Sequence, residues 1–293
     1  MTALPRSTST PTPRPTATFI PRATATARPI APPRPKGPSP HPGFGETPWQ
    51  NGEYSVWSIV GGALHGTAYQ LYTIAGHQWI DQSGLQQVQT TPPLTYSLQV
   101  PKATATLFSS RLAFDVNTYK LRRYDAIEDA PASALHATLF GPSLDYTSYQ
   151  SWAPVGCSAT HTKVSVNTVA SGMMQDLVRT TSLSGAQHAV YNTFDPYDGH
   201  PAVNAGGTYT LVGREVLNTI LGRVPTVMVH FLEGGSPPVD VWYTADAAHI
   251  VVKWGQRGVF GAVLTHYERS STRTILPLAR PRPSLGLKNA ACA

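Results

Sequence analysis

Thr208 to Tyr267 reads TYTLVGREVLNTILGRVPTVMVHFLEGGSPPVDVWYTADAAHIVVKWGQRGVFGAVLTHY, and its punctuation decides the fold. Thr208–Val212, Arg214–Thr219, Val224–Glu233, Val239–Thr244, His249–Trp254 and Val259–Tyr267 are six short runs rich in β-branched and aromatic residues, separated by Gly, Pro or Ala-Asp breaks. That texture predicts strands. Parallel neighbours need crossovers of about a dozen residues or more, and the breaks here are shorter. The six strands are therefore expected to form an antiparallel meander.

Working back from this stretch, the same texture continues. Asn51–Val60 and Leu64–Ile74 flank Gly61-Gly62 as a predicted hairpin. Further runs follow at Leu85–Thr90, Leu94–Val100, Thr104–Ser109, Leu112–Val116, Leu121–Ile127, Ala134–Phe140, Leu144–Tyr149 and His161–Val169. One helix is predicted over Ser171–Thr181, with Ser171 as cap and Met173, Met174, Leu177 and Val178 on one face. Ser182–Gly207 lacks a pattern and reads as a long loop, with Gly206-Gly207 as a turn. The expected fold is mainly β: a curved antiparallel sheet or open half-barrel with one or two short helices.

Outside this segment the composition changes. Residues 1–45 carry twelve prolines among Thr, Ala and Arg, too few apolar groups to form a core, and read as a disordered tail or linker. Residues 46–268 form the β half-barrel domain, and 269–293 a basic C-terminal tail. The chain's formal charge is +6, but eleven of its twenty-two Lys and Arg lie in the two tails. The domain itself holds eleven basic and sixteen acidic residues. Its net charge of −5 argues against specific nucleic-acid binding and leaves the tails as loose contacts for an anionic envelope surface. The first residues show no apolar h-region of a secretory signal. The Thr/Pro-rich stretch nevertheless has the composition of an extended spacer, so an extracytoplasmic location, secreted or at the cell surface, is expected, with the true start lying upstream. Two cysteines, Cys157 and Cys292, leave a disulfide between them open.

Tyr209-Thr210-Leu211-Val212-Gly213-Arg214-Glu215-Val216-Leu217-Asn218-Thr219-Ile220-Leu221-Gly222-Arg223, then Val241-Trp242-Tyr243-Thr244-Ala245-Asp246 and the closing Gly258–Tyr267, resemble the bacterial family called domain of unknown function 3108. Gly52-Glu53-Tyr54 and the helix with Asp176 and Arg179 fall in matching order. The resemblance spans about Gly45 to Glu268. It implies an exported protein similar to the lipoprotein-carrier (LolA/LolB-like) half-barrels, which cup a lipid or other apolar ligand.

The residues declare no reaction. Ten histidines are scattered without zinc spacing. Asp195, Asp198 and His200 could reach one cation, but Asp-Pro and Asp-Gly there read first as a polar turn. Cys157 and His161 form a conceivable dyad without a visible orienting acid, and no G-x-S-x-G elbow is present. No catalytic residue, metal or cofactor is assigned. The expected function is a non-enzymatic binding module for an apolar or amphipathic molecule, with Trp57, Tyr69, Leu71, Phe231 and Trp242 as its lining. The alternatives are a hydrolase of envelope polymers using the Asp195–His200 stretch and a purely structural envelope module.

Overall fold

The computed structural model describes residues 49–278 except 62–63, 76–78, 95–102, 116–120, 130–131, 141–142, 151–155, 166–167, 171–172, 182, 185–187, 196–201, 234–237, 257–259 and 277. The expected tail over 1–45 and most of the C-terminal tail lie outside these residues. The first strands are β1 (Glu53–Gly61), β2 (Leu64–Ala75), β3 (Trp79–Leu94), β4 (Ala103–Asp115), β5 (Leu121–Asp129), β6 (Ala132–Phe140), β7 (Ser143–Gln150) and β8 (Gly156–Lys163). A short strand β9 (Thr168–Ala170), one turn of helix α1 (Met173–Leu177) and a 3-10 turn (Val178–Thr180) follow. The chain then returns through β10 (His188–Asp195), β11 (Ala202–Thr219), β12 (Gly222–Glu233), β13 (Val239–Thr244), β14 (Val251–Gln256) and β15 (Phe260–Glu268).

All fifteen strands belong to one sheet ordered β8-β7-β6-β5-β4-β3-β2-β1-β15-β14-β13-β12-β11-β10-β9. β1 starts in the middle, the first arm zips outward to β8, and the second arm runs back from β9 to β15, which pairs with β1. The two edges, β8 and β9, are consecutive in sequence. Fourteen strand spacings would set the edges of a flat sheet about 65 Å apart, whereas residues 164–167 can span only about 17 Å. The sheet must therefore curl round on itself. β9 packs against β5, and Tyr146 of β7 meets Phe194 of β10 with ring centroids 6.1 Å apart. Thr193 and Phe194, on either side of a bulge in β10, are both fully buried. The ends overlap without hydrogen-bonding into a closed barrel.

The mainly β, curved, open antiparallel sheet expected from the sequence is what forms, with one parallel pair, β9 and β10, joined through the helix. Details differ. The expected strands Thr208–Val212 and Arg214–Thr219 are one strand, β11, bulged between Leu211 and Gly213. Thr104–Ser109 and Leu112–Val116 fuse into β4, and His161–Val169 divides between β8 and β9. The segment 182–207 is no long loop: it holds β10 and the start of β11. Gly206-Gly207 lies inside that strand, where a Cβ at Gly207 would strike the Tyr191 ring. A strand glycine of this kind marks close packing.

Alternation sets the inner face. Glu53, Ser55, Trp57 and Ile59 of β1, Val227, Val229 and Phe231 of β12, and Val241 and Tyr243 of β13 are all buried. The outer face is bare over much of its area, with a covering strap over the first arm. Residues 269–276 and Leu278 lie across β1 to β4: Ser271 N donates to Gly52 O at 2.6 Å, the Arg273 guanidinium lies 5.0 Å from the Tyr54 ring, and Leu278 N donates to Ser109 Oγ at 3.0 Å. Tyr54, Leu71, Ser109 and Ile127 share that outer face by register and are buried. Gly52 holds φ +84°, and a Cβ there would collide with the Ser271 carbonyl oxygen. Gly52→Ala is expected to lower stability by about 1–3 kcal/mol, seen as a lower urea midpoint together with faster protease cutting within 269–278.

Candidate functional site

The inner face of the first arm is unusually polar for a core. The register carries it across four strands: Ser55 and Trp57 of β1 stand opposite Gln70 and Ala68 of β2, which pair with Gly84 and Gln86 of β3. Gly84 and Gln86 in turn face Ser110 and Phe108 of β4, and Gln82 faces Leu112. Gly84 is a glycine because Ser110 Oγ would lie 2.7 Å from any Cβ placed there. Met173, Gln175 and Asp176 of α1 project into this concavity, and Tyr124 of β5 with Val251 and Trp254 of β14 complete it. The cavity has a volume of about 210 Å³.

The helix is held there by a buried charge network. The Arg179 guanidinium makes a bidentate pair with Glu53, at 2.8 Å and 3.1 Å, both side chains being 2 % exposed. Its Nη2 also donates to the Ala248 carbonyl oxygen at 3.2 Å, and it lies 5.6 Å from the ring centroids of both Trp49 and Tyr72. His249 Nδ1 donates to the Arg179 carbonyl oxygen at 2.8 Å, and Tyr243 Oη donates to the Gln175 carbonyl oxygen at 2.6 Å. Strand β13 and the connection from it to β14 therefore fix the backbone of α1 and of the 3-10 turn. Burial opposes the Arg179 charge, yet Glu53 and Tyr72 hold its pKa above the usual range.

Asp176 stands apart within this network. Tyr72 Oη donates to its Oδ1, and among the described residues it makes no ion pair. Burial pushes its carboxyl up to about 6, against partial relief from the Tyr72 hydrogen bond and from Arg179. Tyr72 is itself pushed well up by burial and by Asp176. A carboxylate has room for about four hydrogen bonds, and this one faces the cavity. Two other residues of the lining carry a buried polar atom with no hydrogen-bond partner among the described residues, Trp57 Nε1 and Gln82 Oε1. Such atoms normally find one.

The five lining residues expected from the sequence do not converge. Trp57 lines the cavity, and Phe231 sits on the inner face in the general core against Tyr209, 6.1 Å away. Tyr69 borders the cavity, although its register with Val56 and Leu85 turns its side chain outward. Leu71 lies on the outer face, buried. Trp242, between the inward Val241 and Tyr243, donates from Nε1 to Glu215, with the Lys253 ammonium 4.2 Å from its ring. The amides Gln70, Gln82, Gln86 and Gln175, and Asp176 among them, escaped sequence reasoning. The available signal was an acid and an arginine inside an otherwise apolar helix.

Candidate chemistry elsewhere is already satisfied. Cys157 is disulfide-bonded, which removes the Cys157/His161 dyad, and His161 Nδ1 pairs with Asp145 at 2.5 Å. His136 pairs with Asp125 at 2.6 Å, and His230 with Asp240 at 2.7 Å. A broad outer depression of about 360 Å³ runs beside His136 and His161, where both rings are thus engaged. Among the described residues no three His, Cys, Asp or Glu side chains gather around a cation position. Asp195 ends β10, while Asp198 and His200 lie outside the described residues.

The fold is similar to that of a solved β-barrel-like protein of domain of unknown function DUF1849 from Brucella abortus. The TM-score is 0.53 at 9 % identity, over 76 % of this chain and 99 % of that one. The family resemblance read from the sequence holds over residues 152–266, which match the model described as "Protein of unknown function (DUF3108)". That range is narrower than the expected Gly45–Glu268 and corresponds to β8, the last strand of the first arm, and the second arm through most of β15. Neither match is a lipoprotein carrier, so the likeness to those half-barrels gains no support from them. No curated protein matches the chain.

Proposed function

We propose that this is a non-enzymatic binding protein that holds a small amphipathic molecule inside its curled sheet and works outside the cytoplasm. The observation that carries this reading is the cavity on the inner face, whose described lining sets Gln70, Gln82, Gln86, Gln175 and Asp176 among the apolar groups of Trp57, Phe108, Leu112 and Trp254. A few polar groups among apolar walls suit an amphipathic ligand, the polar groups fixing its orientation. The volume equals that of about seven waters, which favours a compact molecule over a whole phospholipid. The disulfide at Cys157 supports an oxidising compartment.

Hydrolysis of envelope polymers fits this site less well. Glycoside hydrolysis ordinarily uses two facing carboxylates, and Asp176 is the one carboxylate among the lining residues. A purely structural module would have its interior filled.

Native mass spectrometry and organic extraction of the purified protein test the reading, with Ser110→Leu as the comparison. Ser110 faces the cavity over Gly84, so a leucine there should occupy the space and abolish adduct uptake, at a stability cost of about 1–3 kcal/mol. Equal small-molecule content in the parent and in this variant would overturn the assignment.

A further inference from the structure

We infer that the cavity takes a small organic ammonium ion, with the Asp176 carboxylate as counter-charge and the rings of Trp57, Phe108, Tyr124 and Trp254 as its walls. This rests on the binding reading above and names its ligand class. Among the described residues Asp176 is the sole charged residue of the lining, and no Lys, Arg or His borders the space. The neighbouring positive charge, Arg179, is closed on Glu53 by two contacts, so the acid facing the cavity has no cation of its own. Five aromatic residues border the same volume, Tyr69 with its ring turned outward, and aromatic faces attract cations through the negative face of the ring, most strongly when water is excluded. One carboxylate among aromatic walls suits a large, weakly hydrated cation better than a metal ion, which would require a shell of oxygen ligands. The amides of Gln70, Gln82, Gln86 and Gln175 border the same space, so an ammonium compound bearing a hydroxyl fits it.

The pH response follows from the same geometry. The groups facing Asp176 are Tyr72 and Gln70 of β2, Glu53 of β1, Tyr243 of β13 and Arg179 beside it. Burial pushes both tyrosines up, so they stay neutral near pH 6, and Arg179 stays charged. Asp176, at about 6, is the member that titrates there.

The test titrates the full chain with choline and with dimethylbutanol, its uncharged isostere, by calorimetry at neutral pH. Choline should bind at least about tenfold tighter, and Asp176→Asn should erase that preference while keeping dimethylbutanol binding. If the variant fails to fold, the parent protein decides by pH: choline affinity should fall about tenfold per unit well below pH 6, and dimethylbutanol affinity should not. Equal affinities, or tighter binding of the isostere, would overturn the cation assignment and leave the binding reading standing. Failure of both probes to bind would overturn both.

Discussion

Replacing Arg179 by methionine is expected to lower the unfolding free energy by about 3–5 kcal/mol, the cost of leaving a buried charge unpaired. Glu53 would keep its carboxylate at 2 % exposure with both guanidinium contacts gone, and Trp49 and Tyr72 would lose the cation over their rings. The double change Arg179→Met with Glu53→Leu should recover most of that loss, because replacing both partners by apolar groups of similar size removes the desolvation penalty along with the attraction. Urea denaturation of the parent, both single variants and the double variant gives the coupling directly. A single-variant loss under about 1 kcal/mol would place the pair in the class of surface bridges and contradict its burial.

Asp176 should act in the opposite direction. Its folded pKa of about 6 lies above the ordinary 3.8, so the native state holds its proton more tightly than the unfolded chain. The stability contributed by the protonated form is fully present below about pH 4 and is lost as pH rises through about 6. Asp176→Asn keeps the Tyr72 hydrogen bond and removes the buried charge. It is expected to be more stable than the parent above about pH 7, by about 2–3 kcal/mol, with the gap closing toward about pH 4. Other carboxylates titrate in that range, so the readout is the difference between the two proteins at each pH. A difference that stays constant across the window would remove Asp176 as its source. A residue that destabilises the empty protein in this way is a sign of function, since binding sites are where such strain is tolerated.

The second arm was legible because each strand buries one side. Val227, Val229 and Phe231 alternate with Met228 and His230, so period and turn chemistry give both the strands and the inward face. The first hairpin was legible for the same reason. Residues 182–207 were not. Tyr191 depends on a glycine opposite it on β11, and the glycines that permit this contact have the local signature of a turn. The cavity was hidden for a related reason. In β3 the run Gln82-Ser83-Gly84-Leu85-Gln86-Gln87 has no apolar alternation, so only pairing with Tyr72, Gln70 and Ala68 of β2 shows that Gln82 and Gln86 point inward. Glu53, Asp176 and Arg179 were each visible, but they are brought together by the position of the helix inside the curl. That position depends on contacts from β1, β2 and β13, which no local pattern encodes.

The pairing of the first strand with the last has a kinetic consequence. Every other strand pair of the sheet joins neighbours in sequence, so each arm can zip from its own hairpins without closing a large loop. Tyr54 opposite Glu268 is the costly encounter, the step at which loop-closure entropy is concentrated. Cutting the chain within residues 164–167 would leave each arm a contiguous polypeptide, with the β1 and β15 edges as the complementary surfaces through which two separate fragments could reassemble.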